Sequence, residues 1–281
     1  MPVATINAGI QDFRLTLTSG LPVTTADVVG TGTIYFTPYK GPRIALHDGV
    51  DDWNVISSVE KSYVLNGLDN TKCYDLFAYN NAGVLALEAL VWTSATVRAT
   101  ALISVDGILC KTGDTTRRYV GSFKPTAAAT TEDSIAKRFL FNVDNQVRRP
   151  MASVRETVAS WNYTTDTYRE ANGSTTNRLQ FVLGQSQNII ADVIATAKGS
   201  GVAFNVGIGV DSTTVNSAIA SNFSDLTSNV GITAAYRGAP GVGFHFLSWL
   251  EISTVFGTTT WIGDGAVPTR YQSRIYGEVF A

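Results

Sequence analysis

Two stretches of this chain hold residue types that could do chemistry. In the first, HDGVDD, His47 stands beside Asp48, Asp51 and Asp52. Carboxylates crowded in a loop suit calcium. The stretch nevertheless lacks the alternating oxygen ligands and the distal Glu of an EF-hand loop, and no second acidic cluster adjoins it. Asp48-Gly49 therefore reads as turn chemistry of the same kind as Asp106-Gly107, and no metal is expected. In the second, SWLEIS and WIGDG place Glu251 and Asp264 close to Trp249 and Trp261. Two carboxylates a few Å apart suffice to hydrolyse a glycoside, and a tryptophan face stacks on a sugar ring. The same residues also fit tryptophans in a core with solvated acids, and the sequence favours that reading.

No other reactive constellation is expected. His245, in GVGFHFLSWLEIS, alternates with Phe244 and Phe246 and reads as a hydrogen-bonded strand histidine. There is no GxSxG, HExxH or P-loop, and GVGFHF neither follows a clear strand nor opens a helix, so it fails as a dinucleotide fingerprint. Cys73 and Cys110 match no ligand spacing and read as small buried hydrophobes. No cofactor and no enzymatic activity are expected.

The elements that would position these residues are strands. In GVAFNVGIGV, Val202, Phe204, Val206, Ile208 and Val210 alternate with Ala203, Asn205, Gly207 and Gly209, the period of a strand with one buried face. The glycines leave room for a close neighbour, a backbone or another subunit. Hairpins are expected where RIALH ends at Asp48-Gly49, where CYDLFAY meets Asn80-Asn81-Ala82-Gly83, and where ALISV meets Asp106-Gly107. One helical candidate stands out in residues 131–150. Thr131 would cap it, Glu132 and Asp133 suit its first turn, and Ile135, Phe139 and Leu140 fall on one side before Pro150 ends it.

At 281 residues the chain is long enough for two domains of ordinary size. It is 44% hydrophobic and only 16% charged, so Thr, Ser, Asn and Gly supply its polar surface, a composition that favours strands and turns. The net charge of -2 gives no long-range pull on phosphate, and nucleic-acid binding is not expected. Arg117-Arg118 and Arg148-Arg149 are too short to make a basic patch and read as solvated strand ends or linker. No segment approaches 18 apolar residues and the first residues carry no basic-then-apolar leader, so neither membrane insertion nor export is expected. The expected architecture is all-β, with two antiparallel sandwich or jelly-roll-like domains at residues 23–130 and 151–281. A partly helical connector at 131–150 would join them, and an N-terminal arm at 1–22 would precede them.

The phrases GTIYFTPYKGPRIALHDG, YDLFAYNNAGVLALEALVWTSATVRATAL, DGILCKTGDTTRRYVGSF, TEDSIAKRF, GFHFLSWLEIS and GTTTWIGD resemble a family of tailed-bacteriophage virion proteins, known as head-fibre, tail or structural proteins. The resemblance spans most of the chain from about residue 15. It implies a virion component made in the bacterial host cytoplasm, assembled with other virion proteins, and oligomeric, with a homotrimer as the first expectation. The arm, carrying Phe13, Leu15 and Leu17, would dock on the particle, and the C-terminal domain would serve display or subunit contacts. The alternative function is an adhesin that holds host-surface glycan on Trp261, Tyr271 and Trp249. A polysaccharide hydrolase is the third.

Overall fold

The alternation in GVAFNVGIGV is the second half of one strand, Ile189–Val210. In its first half the odd positions Ile189, Ala191, Val193, Ala195 and Ala197 are buried; in its second half the even positions Val202, Phe204, Val206 and Ile208 are. A strict period of two would have sent one half to solvent. The phase resets at residues 199–201, where the register against the neighbouring strand shifts. Gly201 there takes a φ of +69°, a region that glycine enters without strain. An extra residue in one strand is a β-bulge, and this one lets both halves face the same core.

The computed structural model describes residues 8–264 and 271–281. One edge of Ile189–Val210 pairs with Asn222–Gly238. The other edge meets Arg274–Phe280, then Thr258–Ile262, then Gly243–Ser253. Beyond Gly243–Ser253 lie Arg178–Leu183 and Arg169–Glu170. Gly207 and Gly209 face a close neighbour, as their spacing suggested. A Cβ on Gly209 would sit 2.1 Å from the Ser212 carbonyl oxygen, and one on Gly207 would sit 2.6 Å from Asn216 Oδ1.

The first half builds a three-stranded sheet of Phe13–Thr16, Thr33–Pro38 and Lys61–Val64. It adds the hairpin Arg43–His47 with Trp53–Ser57, and a larger sheet running from Tyr74–Asn81 through Asp114–Phe123 to Leu140–Asn142. The expected turns fall in place. Ala82 and Gly83, and Asp106 and Gly107, take positive φ between paired strands, the backbone that a tight hairpin needs. The fold is all-β, of the sandwich or jelly-roll type; among the described residues a single 3-10 turn, Ala171–Gly173, is the one helical element.

Three expectations are corrected. Phe13, Leu15 and Leu17 do not sit on a docking arm. They are 0%, 1% and 3% exposed, Phe13 stacks on Phe36 at 4.8 Å, and their alternation fills one face of a strand inside the N-terminal core. Residues 1–7, also assigned to the arm, lie outside the described residues. The connector at 131–150 is not helical but holds the strands Thr130–Asp133, Lys137–Arg138, Leu140–Asn142 and Arg148–Ala152. Its apolar run is continuous because successive side chains enter different cores. Phe139 packs with Cys73 and Trp92, Leu140 with the N-terminal core and Phe141 with the C-terminal core. The boundary near Pro150 also moves, since Val28–Thr31 and Thr130–Asp133 belong to the same sheet as the C-terminal strands.

Arg118 and Arg149 are likewise buried rather than solvated. Arg149 and Arg138 both pair with Asp133 at 2.9 Å, and Arg149 donates to the Thr24 carbonyl and hydroxyl, tying the segment before Val28–Thr31 to the connector. Arg118 donates to the carbonyls of Ala8, Ile10 and Ala45. Deleting residues 1–17 removes the buried apolar side chains of Phe13, Leu15 and Leu17, worth roughly 1.5–3 kcal/mol each, and takes the Ala8 and Ile10 carbonyls from the buried Arg118 guanidinium. Loss of the cooperative unfolding transition of the N-terminal core is the expected result by circular dichroism and urea titration; an unchanged transition would restore the arm.

Candidate functional site

The strand Gly243–Ser253 carries the acid and the tryptophan that suggested glycosidase chemistry, and it buries both. Trp249 and Glu251 are 0% exposed. The Glu251 carboxylate accepts hydrogen bonds from Trp161 Nε1 at 2.7 Å, Arg169 Nε at 2.9 Å and the Asn172 backbone N–H at 3.2 Å. Asn172 sits at φ +54° in the 3-10 turn, a left-handed conformation that asparagine tolerates better than most residues. Burial pushes the Glu251 carboxyl up to about 7, outweighing the opposing pull of Trp161 and Arg169.

Asp264 belongs to a different set of contacts. Its carboxylate pairs with Arg155 at 2.9 Å and its backbone N–H donates to the Glu156 carbonyl. Glu251 and Asp264 share no partner, so the structure gives the expected acid pair no common centre. Two buried acids that the sequence did not single out are also held by polar partners. Glu170 pairs with Arg178 and accepts from Ser248, while Glu156 accepts from Asn177 Nδ2. Their partners arrive from distant segments, and no local spacing marks them.

The glycan-stacking residues are also corrected. Trp249 and Trp261 are fully buried, packed edge-on against Trp161 and Phe204, so neither offers a face to a sugar. Tyr271 is half-buried. It lines a cavity of about 350 Å³ with Ile194, Thr196, Gln272, Arg274 and Tyr276, and its hydroxyl accepts from Asn229.

HDGVDD is a turn. Asp48 Oδ1 accepts the backbone N–H groups of Val50, Asp51 and Asp52 at 2.8–3.1 Å, which hold its carboxyl below the ordinary aspartate value. His47 Nδ1 lies 3.0 Å from Thr115 Oγ1 and accepts the Gly49 N–H. His245 is buried and bonded through Nδ1 to Asp211 at 2.7 Å. Cys73 and Cys110 are free and buried, their thiols pushed up to about 12 and about 11 by desolvation. Among the described residues no cluster of three His, Cys, Asp or Glu is placed to hold a metal ion.

A second cavity, of about 240 Å³, opens where the strands Ile189–Val210, Asn222–Gly238 and Gly243–Ser253 run side by side. Asp166, Tyr168, Asn205, Asn222 and Thr254 line it above Ala203, Phe204 and Ile252. None of these was singled out by sequence, because they come from separate segments with no shared motif.

No protein-family model matches the chain, and no curated protein matches it. Among solved structures it is similar to the insecticidal delta-endotoxin Cry8Ea1 of Bacillus thuringiensis, at 8% identity and a TM-score of 0.25 over 96% of this chain and 51% of that one. A Cry1Da tryptic core variant from Bacillus thuringiensis gives 7% identity and a TM-score of 0.21 over 92% and 53%. The exo-beta-1,3-galactanase of Phanerochaete chrysosporium gives 10% identity and a TM-score of 0.19 over 96% and 68%. The chain thus spans about half the length of the two toxins. Likeness at this level carries no functional argument, and function rests on the residues.

The raised Glu251 carboxyl makes stability depend on pH. Its ordinary value is 4.5 and its folded value about 7, so the native state holds the proton more tightly. The stabilisation is complete below about 4.5 and is lost as pH rises through 7. Relative to a Glu251→Gln variant, the wild-type chain is expected to lose on the order of 3 kcal/mol across that window. Urea titrations of both proteins at several pH values measure this, and a pH-independent difference would contradict the assignment.

Proposed function

We propose that this chain is a structural component of a tailed-bacteriophage particle, displayed on the head or attached to the tail, and that it works by assembly rather than catalysis. The observation that carries the reading, beside the family resemblance, is how the candidate reactive groups are used. Glu251 is held by Arg169 and Trp161, Asp264 by Arg155, and Asp133 by Arg138 and Arg149. Charge in this chain fastens strands and loops to one another.

A homotrimer is the proposed assembly. Asn222–Gly238 pairs along one edge with Ile189–Val210, while among the described residues its outer edge meets only Ile219–Ala220, at Ala234 and Ala235. An open strand edge invites pairing, and cyclic packing of subunits covers it. Immunogold microscopy with antibody against residues 151–281 is expected to label intact purified particles at the head or at the tail. Particles that carry no label, and no peptide of this chain by mass spectrometry, would end the virion reading.

A second reading, recognition of host-surface glycan, is favoured by the two open cavities, each walled by tyrosine beside hydroxyl or amide side chains. The purified chain is then expected to retain oligosaccharides on a printed array of bacterial and synthetic glycans. An array with no bound spot would remove this reading and leave the structural one standing.

A further inference from the structure

We propose that the cleft beside Asp166 is a binding site for an uncharged saccharide; the inference rests on the glycan-binding reading and places it at one site. The floor is built from three adjacent strands. Asn205 pairs with Ile252 on one side and with Asn222 on the other, so the three side chains form a row across the sheet. Ala203, two residues before Asn205 and so on the same face of the strand, extends that floor beside Ile252, giving a small apolar surface crossed by two amides. The Phe204 ring points into the core on the other face.

The walls are held from outside. The Ser253 N–H donates to the Thr165 carbonyl, and the Tyr163 hydroxyl donates to the Thr167 carbonyl, fixing the turn that carries Asp166. On the opposite side the absent Cβ of Gly207 admits Asn216. Asn216 accepts the N–H groups of Ile208 and Ala218 through Oδ1 and donates to the Ala218 carbonyl. Tyr168 lines the cleft as well.

Of the polar groups in the lining, Thr254 and Ser253 are hydrogen-bonded through their hydroxyls, while the carboxylate and the two amides keep capacity for a ligand. The side chains of Asp166 and Asn222 make no hydrogen bond or ion pair with any other described residue, and Asn205 uses only its Oδ1, on the Val206 N–H. Elsewhere in this half Glu251, Glu170 and Asp264 are each paired with an arginine. A carboxylate and two amides around an apolar floor match the hydroxyls and C–H face of a pyranose ring. The lining includes no Lys or Arg, and neighbouring Arg169 is taken by Glu251 and the Tyr163 ring, so an anionic ligand would meet Asp166 uncompensated. At about 240 Å³ the space lies below the roughly 300–1,000 Å³ of pockets for larger ligands, which sets the occupant at one or two sugar rings. The Tyr271 cavity, by contrast, has its tyrosine hydroxyl engaged by Asn229 and an arginine in its wall.

The test uses the full chain, the same printed array, and the best-retained neutral oligosaccharide in solution by calorimetry. Asp166→Ala and Asn222→Ala each remove an exposed side chain without internal partners, so thermal midpoints should stay unchanged while affinity falls roughly tenfold or more for the loss of a charge-assisted bond at Asp166. Tyr271→Ala should bind as wild type. Retained affinity in both cleft variants, or a loss confined to Tyr271→Ala, would overturn the cleft while leaving glycan binding intact. Preference for uronic or sialic acids over neutral sugars would overturn the charge argument, and an array with no bound glycan would take down both the cleft and the reading on which it rests.

Discussion

The structure depends on one backbone ladder. Ile189–Val210 is hydrogen-bonded along one edge to Asn222–Gly238 and along the other to three strands in succession, so four strands take their register from it directly and Arg178–Leu183 and Arg169–Glu170 at one remove. Such a strand must keep a single face toward the core for its whole length, and twenty-two residues of strict alternation would have to be sustained to do so. The chain instead breaks the alternation once, at residues 199–201, and restores the same face beyond it. The cleft row of Asn205, Asn222 and Ile252 lies a few residues past that break, on side chains whose direction the bulge determines.

Buried charge is the second organising feature. A chain with only 16% charged residues would be expected to keep them in water, yet Arg118, Asp75, Glu251 and Arg138 are all at or near full burial. Each has partners. Asp75 accepts from Arg98 and Ser122, and Arg98 also reaches the Gly184 carbonyl, bridging the two halves of the chain. Arrangements of this kind add little net stability over an apolar core, while removing one member leaves an uncompensated charge. What they supply here is geometry, because a guanidinium satisfies several carbonyls at once and so fixes loops that lack apolar anchors.

Legibility in the sequence followed locality. The turns at Asp48-Gly49, Asp106-Gly107 and Ala82-Gly83 could be read because the residue that permits the backbone is itself in the turn. The second half of Ile189–Val210 was legible through its valines and isoleucines. The first half was not, because Ala191, Ala195 and Ala197 point inward while Ile190 and Ile194 are exposed, which inverts the usual pattern of size. Residues 139–141 passed for helix because burial on both faces erases alternation. The favoured core reading of Trp249 and Trp261 agrees with their burial, but the solvated acids read beside them are buried too, because the arginines that hold Glu251 and Asp264 come from distant segments. The Asp166 cleft left no trace, being assembled from four segments.

The sharing of residues 139–141 among three clusters also bears on how the chain reaches this state. Leu15 exchanges hydrogen bonds with the Asn142 side chain, a separation of 127 residues, so the edge of the first strand away from Thr33–Pro38 stays open until the connector has arrived. Contacts of such span slow folding, because the entropy of closing the loop is lost before the contact is gained. During that delay the chain exposes strand edges that other chains can join. The open edges that the proposed assembly would use are therefore also an aggregation hazard, and the interval between synthesis and closure is when the cell must guard them.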